Sequence, residues 1–230
     1  MKNYLIIGAS SGIGKALAEQ LASAGNQVFG TYNLNKTENS PNIHFHHLDV
    51  VTDFKLDFLP EQLDGIAYCP GAINLKPFKR LKVESFTEDF NLQVLGAIKV
   101  IQAALPSLTK SENASILLFS TVAVQSGFNF HTQVAVSKGA IEGLTKSLAA
   151  ELAPKVRVNA IAPSLTDTPL ASKLLSTDEK RAANAERHPL KRIGTAADIA
   201  QTAAFLLSEK SAWITGQIIH VDGGMSSLKV

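Results

Sequence analysis

Along almost the entire chain, short apolar runs alternate with longer stretches of helical periodicity, and that alternation restricts the fold more than any other feature. The strand candidates are Tyr4–Ile7, Gln27–Thr31, Ile43–Leu48, Gly65–Cys69, Ser115–Phe119, Val156–Ile161 and Gln217–Val221. Helical patterns fill Gly12–Ala24, Ser85–Ser107, Thr132–Leu152 and Ala196–Ser208. Strands separated by helices pair in parallel, because each helix carries the chain back to the starting edge of the sheet. The pattern therefore predicts an α/β fold, a doubly wound parallel sheet of about seven strands with helices on both faces. No linker divides the 230 residues, so a single domain is expected, with Asn33–Asn42 as a surface loop. In such a sheet, ligands bind outside the carboxyl ends of the strands, at the switch point of the strand order.

Composition removes several classes of function. Hydrophobic residues make up 45% and charged residues 18%, which excludes disorder for the chain as a whole. A net charge of +2 is too even for a nucleic-acid footprint. The lone Cys69 has no internal disulfide partner, and no apolar run approaches the roughly 18–20 residues a spanning helix needs. The opening MKNYLIIGASSGIG lacks the shape of a signal peptide, so a cytoplasmic protein with no membrane partner is expected.

Gly8-Ala9-Ser10-Ser11-Gly12-Ile13-Gly14 follows the first strand and opens the first helix. Gly8 supplies a tight turn, Gly12 lets the backbone approach a pyrophosphate, and Gly14 lets helix pack on strand. The free amides and positive end of the helix then face the phosphates. A glycine-rich turn without a ligand is the bland alternative, but strand–turn–helix is the context that dinucleotide binding needs.

The G-x-x-x-G-x-G spacing resembles the short-chain dehydrogenase/reductase family, and further matches run to the C-terminus. Leu48-Asp49-Val50 is similar to the family's acidic segment, where Asp49 and Val50 would contact adenine. Gly71 closes Tyr68-Cys69-Pro70-Gly71, which stands where the family has Asn-Asn-Ala-Gly. Phe90-Asn91-Leu92 resembles the segment with the catalytic asparagine, and Ser137-Lys138-Gly139-Ala140 the run with the catalytic lysine. Thr168, before Pro169, sits where a threonine holds the nicotinamide carboxamide. Arg157–Pro163 and the tail from His188 to Gly224 also match. The resemblance implies a Rossmann-type fold, a nicotinamide cofactor, a small-molecule substrate, a homodimer or homotetramer, and a substrate lid around 165–190. Gly8, Ser10, Ser11, Gly12, Ile13, Gly14, Tyr32, Asn33, Asp49, Val50, Gly71, Lys138 and Thr168 would hold the cofactor.

The chain departs from the family at its centre. The signature is Y-x-x-x-K, and four residues before Lys138 stands Val134. In the family the lysine and cofactor ribose lower the tyrosine's pKa from about 10 so that it exchanges a proton; valine cannot. The family's serine becomes Thr121, with Ser120 as the neighbouring alternative. Asn91, Thr121 and Lys138 would form the residual catalytic group. His131, seven residues before Lys138, is a possible substitute acid, because imidazole exchanges protons near neutrality. Three readings follow: an oxidoreductase that moves hydride to or from a small carbonyl, alcohol or activated alkene by an atypical proton route; a nicotinamide-binding sensor or partner subunit without turnover; or an acyl-chain enoyl or ketoacyl reductase that depends on His131.

No carboxylate ends the second strand at Tyr32-Asn33, so a 2′-phosphate would not be repelled there, and NADP is expected over NAD. His44, His46 and His47 lack the cysteine or spaced carboxylate that would complete a metal set, so no metal is expected. Ala171–Arg187 reads as an amphipathic helical segment whose apolar residues suit an apolar substrate.

Overall fold

Successive side chains of the first strand, β1 (Asn3–Ile7), point to opposite faces, and both faces are buried: Leu5 and Ile7 enter one core, Tyr4 and Ile6 the other. A strand covered on both sides belongs inside a parallel sheet, and that is where β1 lies. The computed structural model describes residues 1–229. It adds β2 (Gln27–Tyr32), β3 (Ile43–His47), β4 (Gly65–Tyr68), β5 (Ala114–Phe119) and β6 (Val156–Pro163). Two short strands follow, β7 (Thr166–Asp167) and β8 (Gly194–Thr195), and then β9 (Ile218–Val221).

Seven of these strands form one sheet in the order β3-β2-β1-β4-β5-β6-β9, with every pair parallel. The register sets Leu5 between Phe29 and Ile66, and Ile116 opposite Val158. The order reverses between β1 and β4, which is the predicted switch point. β7 and β8 make a separate two-stranded ribbon that the sequence patterns did not announce.

The helices are α1 (Gly12–Ser23), α2 (Val83–Phe90), α3 (Gly96–Leu108), α4 (Ala123–Ser126), α5 (Thr132–Leu152), α6 (Asp178–Glu186) and α7 (Ala196–Leu207). Leu17 and Leu21 of α1 pack with Ile199, Ala203 and Leu206 of α7 on the face that receives Tyr4 and Ile6. Val100, Ile101 and Ala104 of α3, with Ile141 and Ala149 of α5, cover the other face. α7 begins in a capping box in which Thr195 and Asp198 satisfy each other's backbone amides. No helix among the described residues is long and apolar enough to cross a membrane.

Two expectations change. The single helix predicted over Ser85–Ser107 is α2 and α3 joined by a π-helical turn, Asn91–Leu95. The wider turn releases a carbonyl, and the buried Tyr68 hydroxyl donates to that oxygen of Leu92 at 2.5 Å. Glycine at 96 makes room, because a methyl there would stand 2.3 Å from the phenol oxygen. The helical segment expected over Ala171–Arg187 shortens to α6, which starts where Thr177 caps the amide of Lys180.

Candidate active site

The loop after β1 is shaped by its glycines and pinned to β2. Gly8 sits at φ +76°, donates its amide to the Thr31 hydroxyl at 3.1 Å, and leads Ala9 to donate to the Thr31 carbonyl at 2.8 Å. Gly14 has no alternative: a methyl there would lie 2.2 Å from the Gly8 carbonyl oxygen. Ser11 precedes α1 in an extended conformation, makes no side-chain cap, and the first turn holds no acid. The first amides of α1 are thus left for an anion, as the phosphate reading requires. A methyl on Gly12 would stand 3.5 Å from the Thr168 side chain, so the segment after β6 lies over this loop.

Beside the loop opens a cavity of about 290 Å³ at the carboxyl ends of β4, β5 and β6. Thr121, Lys138, Thr168, Gly71, Ile13 and His131 all line it, as does Val134. The two hydroxyls following β5 divide their tasks. Both line the cavity, but Ser120 is buried and donates to Glu142 at 2.6 Å, whereas Thr121 is half-buried. Thr121 accepts the Ala123 amide at 3.3 Å, which leaves its own proton to offer.

Lys138 reaches the cavity from α5. Burial pushes its ammonium down to about 8, opposed chiefly by the negative charge of Asp89. Burial likewise raises the Cys69 thiol to about 12, with the Lys138 charge lowering it, so Cys69 is an inert thiol at neutral pH. Behind Lys138 lies a buried polar cluster. Asp89 accepts from both sides: Gln93 Nε2 at 2.8 Å to each oxygen and the Ser137 hydroxyl at 2.5 Å. Those bonds fix the amide of Gln93, turn its Oε1 the other way, and leave that buried oxygen without a partner. A methyl on Gly71 would sit 3.4 Å from Gln93 Oε1 and 3.9 Å from Lys138 Nζ. Glycine at 71 therefore keeps open the space between an unpaired acceptor and a cation.

The other sequence-predicted residues scatter in instructive ways. Asn91 begins the π turn but does not line the cavity; Gln93 does, because positions two apart on a helical turn face opposite sides. Val50, expected against adenine, buries its side chain in the core beside Gly96. Asp49 is half-buried and accepts the Val51 amide at 3.1 Å. Tyr32 is half-buried and packs edge-on against His47, and Asn33 is exposed. Gly8, Ser10, Ser11, Gly12 and Gly14 form the neighbouring loop rather than the cavity wall. His131 follows Phe130, a non-glycine residue at φ +70°, and holds the Asn129 carbonyl through Nδ1 at 2.8 Å. His46 stacks on Phe58 at 3.9 Å and His44 meets Gln27, so this run serves strand packing.

Among the lining residues that escaped the sequence reading are Gln93, Ser164 and His188. Gln93 lacked a signal because the π turn shifts the helical register. Ser164 and His188 lie 24 residues apart, yet the Ser164 hydroxyl stands 2.8 Å from His188 Nε2 on the cavity wall.

The family model described as enoyl-(acyl carrier protein) reductase matches residues 8–226. A 3-oxoacyl-[acyl-carrier-protein] reductase, FabG, of Thermotoga maritima is 33% identical over 243 aligned positions that cover 97% of each chain. A crystal structure of a short chain dehydrogenase family protein from Francisella tularensis superposes with a TM-score of 0.89 at 30% identity, covering 99% of this chain and 100% of that one. ElxO with NADP bound superposes equally well, at 0.89 and 28% identity, over 99% of both chains.

Proposed function

The chain belongs to the short-chain dehydrogenase/reductase family of oxidoreductases, and on that premise we propose that it transfers hydride between a nicotinamide dinucleotide and a small carbonyl, alcohol or enoyl substrate by a tyrosine-free proton route. The observation that carries this reading is the convergence of Thr121, Lys138 and Gly71 on one cavity beside an uncapped helix N-terminus. When bound, the cofactor supplies or accepts the hydride. The protein's task is to hold, orient and exchange a proton.

Each retained residue has work to do in that scheme. The amides at the start of α1 would bind the pyrophosphate, and Thr168, beside Gly12, would hold the carboxamide. Lys138 at neutral pH is largely a cation facing the gap at Gly71, where a ribose hydroxyl would meet both its ammonium and the unpaired Gln93 oxygen. Thr121 would donate a hydrogen bond to the substrate oxygen. NADP is preferred over NAD in this reading, since β2 ends in Tyr32-Asn33 without a carboxylate. Apolar side chains such as Ile73, Leu75, Leu170 and Leu174 dominate the rest of the wall and suit an apolar substrate. The acyl-carrier-protein reductases among the relatives extend the substrate class to acyl thioesters. We place the activity in the cytoplasm, in a homodimer or homotetramer in which a second copy covers half-exposed Val136 of α5.

Val134 in the tyrosine's place favours a second reading, a nicotinamide-binding sensor or partner subunit. Loss of NADPH or NADH absorbance over aldehydes, ketones, quinones and enoyl thioesters, run beside Val134→Tyr, separates the two. The enzyme reading expects turnover by the natural chain, abolished in Lys138→Ala. Turnover by Val134→Tyr alone would instead make the natural chain a binder.

A further inference from the structure

We propose that Ser164, backed by His188, is the group through which this chain takes and returns the hydroxyl proton of its substrate; the proposal rests on the hydride-transfer reading above. With valine at 134, the proton must come from another part of the cavity wall. Ser164 follows β6 directly, and the Pro163 carbonyl before it accepts the Val122 amide at 3.2 Å. The segments leaving β5 and β6 therefore run side by side, and Thr121 and Ser164 both line the cavity. A substrate oxygen held by Thr121 lies in the same cavity that Ser164 faces.

The ring of His188 fixes which way the protons lie. Its Nδ1 is 2.8 Å from the Asn184 carbonyl, which can only accept, so Nδ1 carries a hydrogen. Nε2 of the neutral ring is then an acceptor, and the Ser164 hydroxyl donates to it. His188 is only 3% exposed. Ser164 keeps lone pairs with which to receive a proton from the cavity. His131, by contrast, is held through Nδ1 by its own loop and has no such hydroxyl identified at Nε2.

In the oxidation direction, the substrate hydroxyl gives its proton to Ser164 Oγ while Ser164's own proton passes to His188 Nε2. The substrate's C–H bond breaks with its electron pair, which leaves as hydride to the oxidised nicotinamide, and a carbonyl remains. The resulting imidazolium donates from both nitrogens, to Asn184 and to Ser164, without either partner moving. Reduction runs the same transfers backwards, with the imidazolium proton ending on the new alcohol. Ser164 is the catalytic residue here, and His188 a positioning residue that also stores the proton.

The test begins with ¹⁵N-histidine-labelled protein, NADP⁺ and cyclohexanol as the probe. The His188 Nε2 resonance is expected to shift when cyclohexanol is added to the NADP⁺-loaded protein, and to stop responding in Ser164→Ala. Indifference of His188, with His131 responding instead, would overturn the proposal. On the best substrate of the panel, Ser164→Ala and His188→Gln should each lower kcat about 100-fold, with KM and NADPH affinity held within about twofold. Glutamine can still accept from Ser164 but cannot store a proton, so a kcat loss at unchanged KM separates proton transfer from scaffolding. Turnover kept within about threefold in Ser164→Ala overturns the proposal and leaves hydride transfer standing. Silence of the natural chain on the whole panel removes the hydride-transfer reading and the proposal with it, whereas turnover indifferent to Ser164→Ala removes the proposal alone.

Discussion

The two ends of the same parallel sheet are built on opposite rules. At the amino end, buried polar groups are paired until nothing is left over. Asp64, before β4, accepts from the Asn3 amide at 2.8 Å, from Ser111 at 2.8 Å and from Gln62 at 3.2 Å. Burial pushes its carboxyl up, but those bonds outweigh it and hold the group below its usual value. Arg157 at the start of β6 donates to the carbonyls of Leu206 and Ser208 and to the Ser211 hydroxyl, tying β6 to the end of α7. At the carboxyl end, Gln93 Oε1 is buried without a partner and Lys138 is held down to about 8. Stability resides at one end, and at the other an unpaired buried acceptor and a buried cation are tolerated beside the cavity.

That contrast can be broken most severely at the amino end. Arg157→Met removes the charged donor that ties β6 to the end of α7, although Ser115 and Ser211 still donate to the Leu206 carbonyl and Ser211 to that of Ser208, and should cost about 3 kcal/mol in urea unfolding. NADPH affinity should stay within about twofold, because the site lies at the far end of the strands. A large affinity loss at unchanged stability would mean that the two ends are not separate devices.

The next effect belongs to Lys138. Its folded value of about 8 lies below the unfolded 10.5, so the folded chain binds fewer protons between those pH values. Stability should therefore rise with pH across that window, by up to about 3 kcal/mol, and the rise should vanish in Lys138→Met. Urea midpoints measured at pH 8 and pH 10 in both proteins check it. A parallel response in the two proteins would locate the titrating group elsewhere.

Smaller still is Gly14→Ala, which drives a methyl into the Gly8 carbonyl and deforms the loop. NADPH should bind about tenfold more weakly by fluorescence titration, a loss of about 1.4 kcal/mol. Unchanged affinity would remove the loop from the binding site.

The same division governs what the sequence discloses. The sheet was legible because its strands are short apolar runs that need only local periodicity, and α5 falls on Thr132–Leu152 as its pattern predicts. The glycine loop was legible because φ values of +76° at Gly8 and +54° at Gly12 leave little choice of residue. The cavity wall was only half legible. Thr121 and Lys138 could be placed through the family resemblance, but Gln93 depends on a π turn stabilised by Tyr68, which is remote in sequence. The Ser164–His188 contact joins a strand end to the turn after α6, and no local pattern marks it. The β7–β8 ribbon, two residues on each side, is too short to carry any periodicity.

The claim that the carboxyl end is a nicotinamide site is tested most directly by calorimetric titration of the natural protein with NADPH and with NADH. Saturable one-to-one binding of NADPH, tighter than that of NADH and weakened in Gly14→Ala, is the predicted result. Absence of binding to either dinucleotide, in a protein that remains folded, would contradict it.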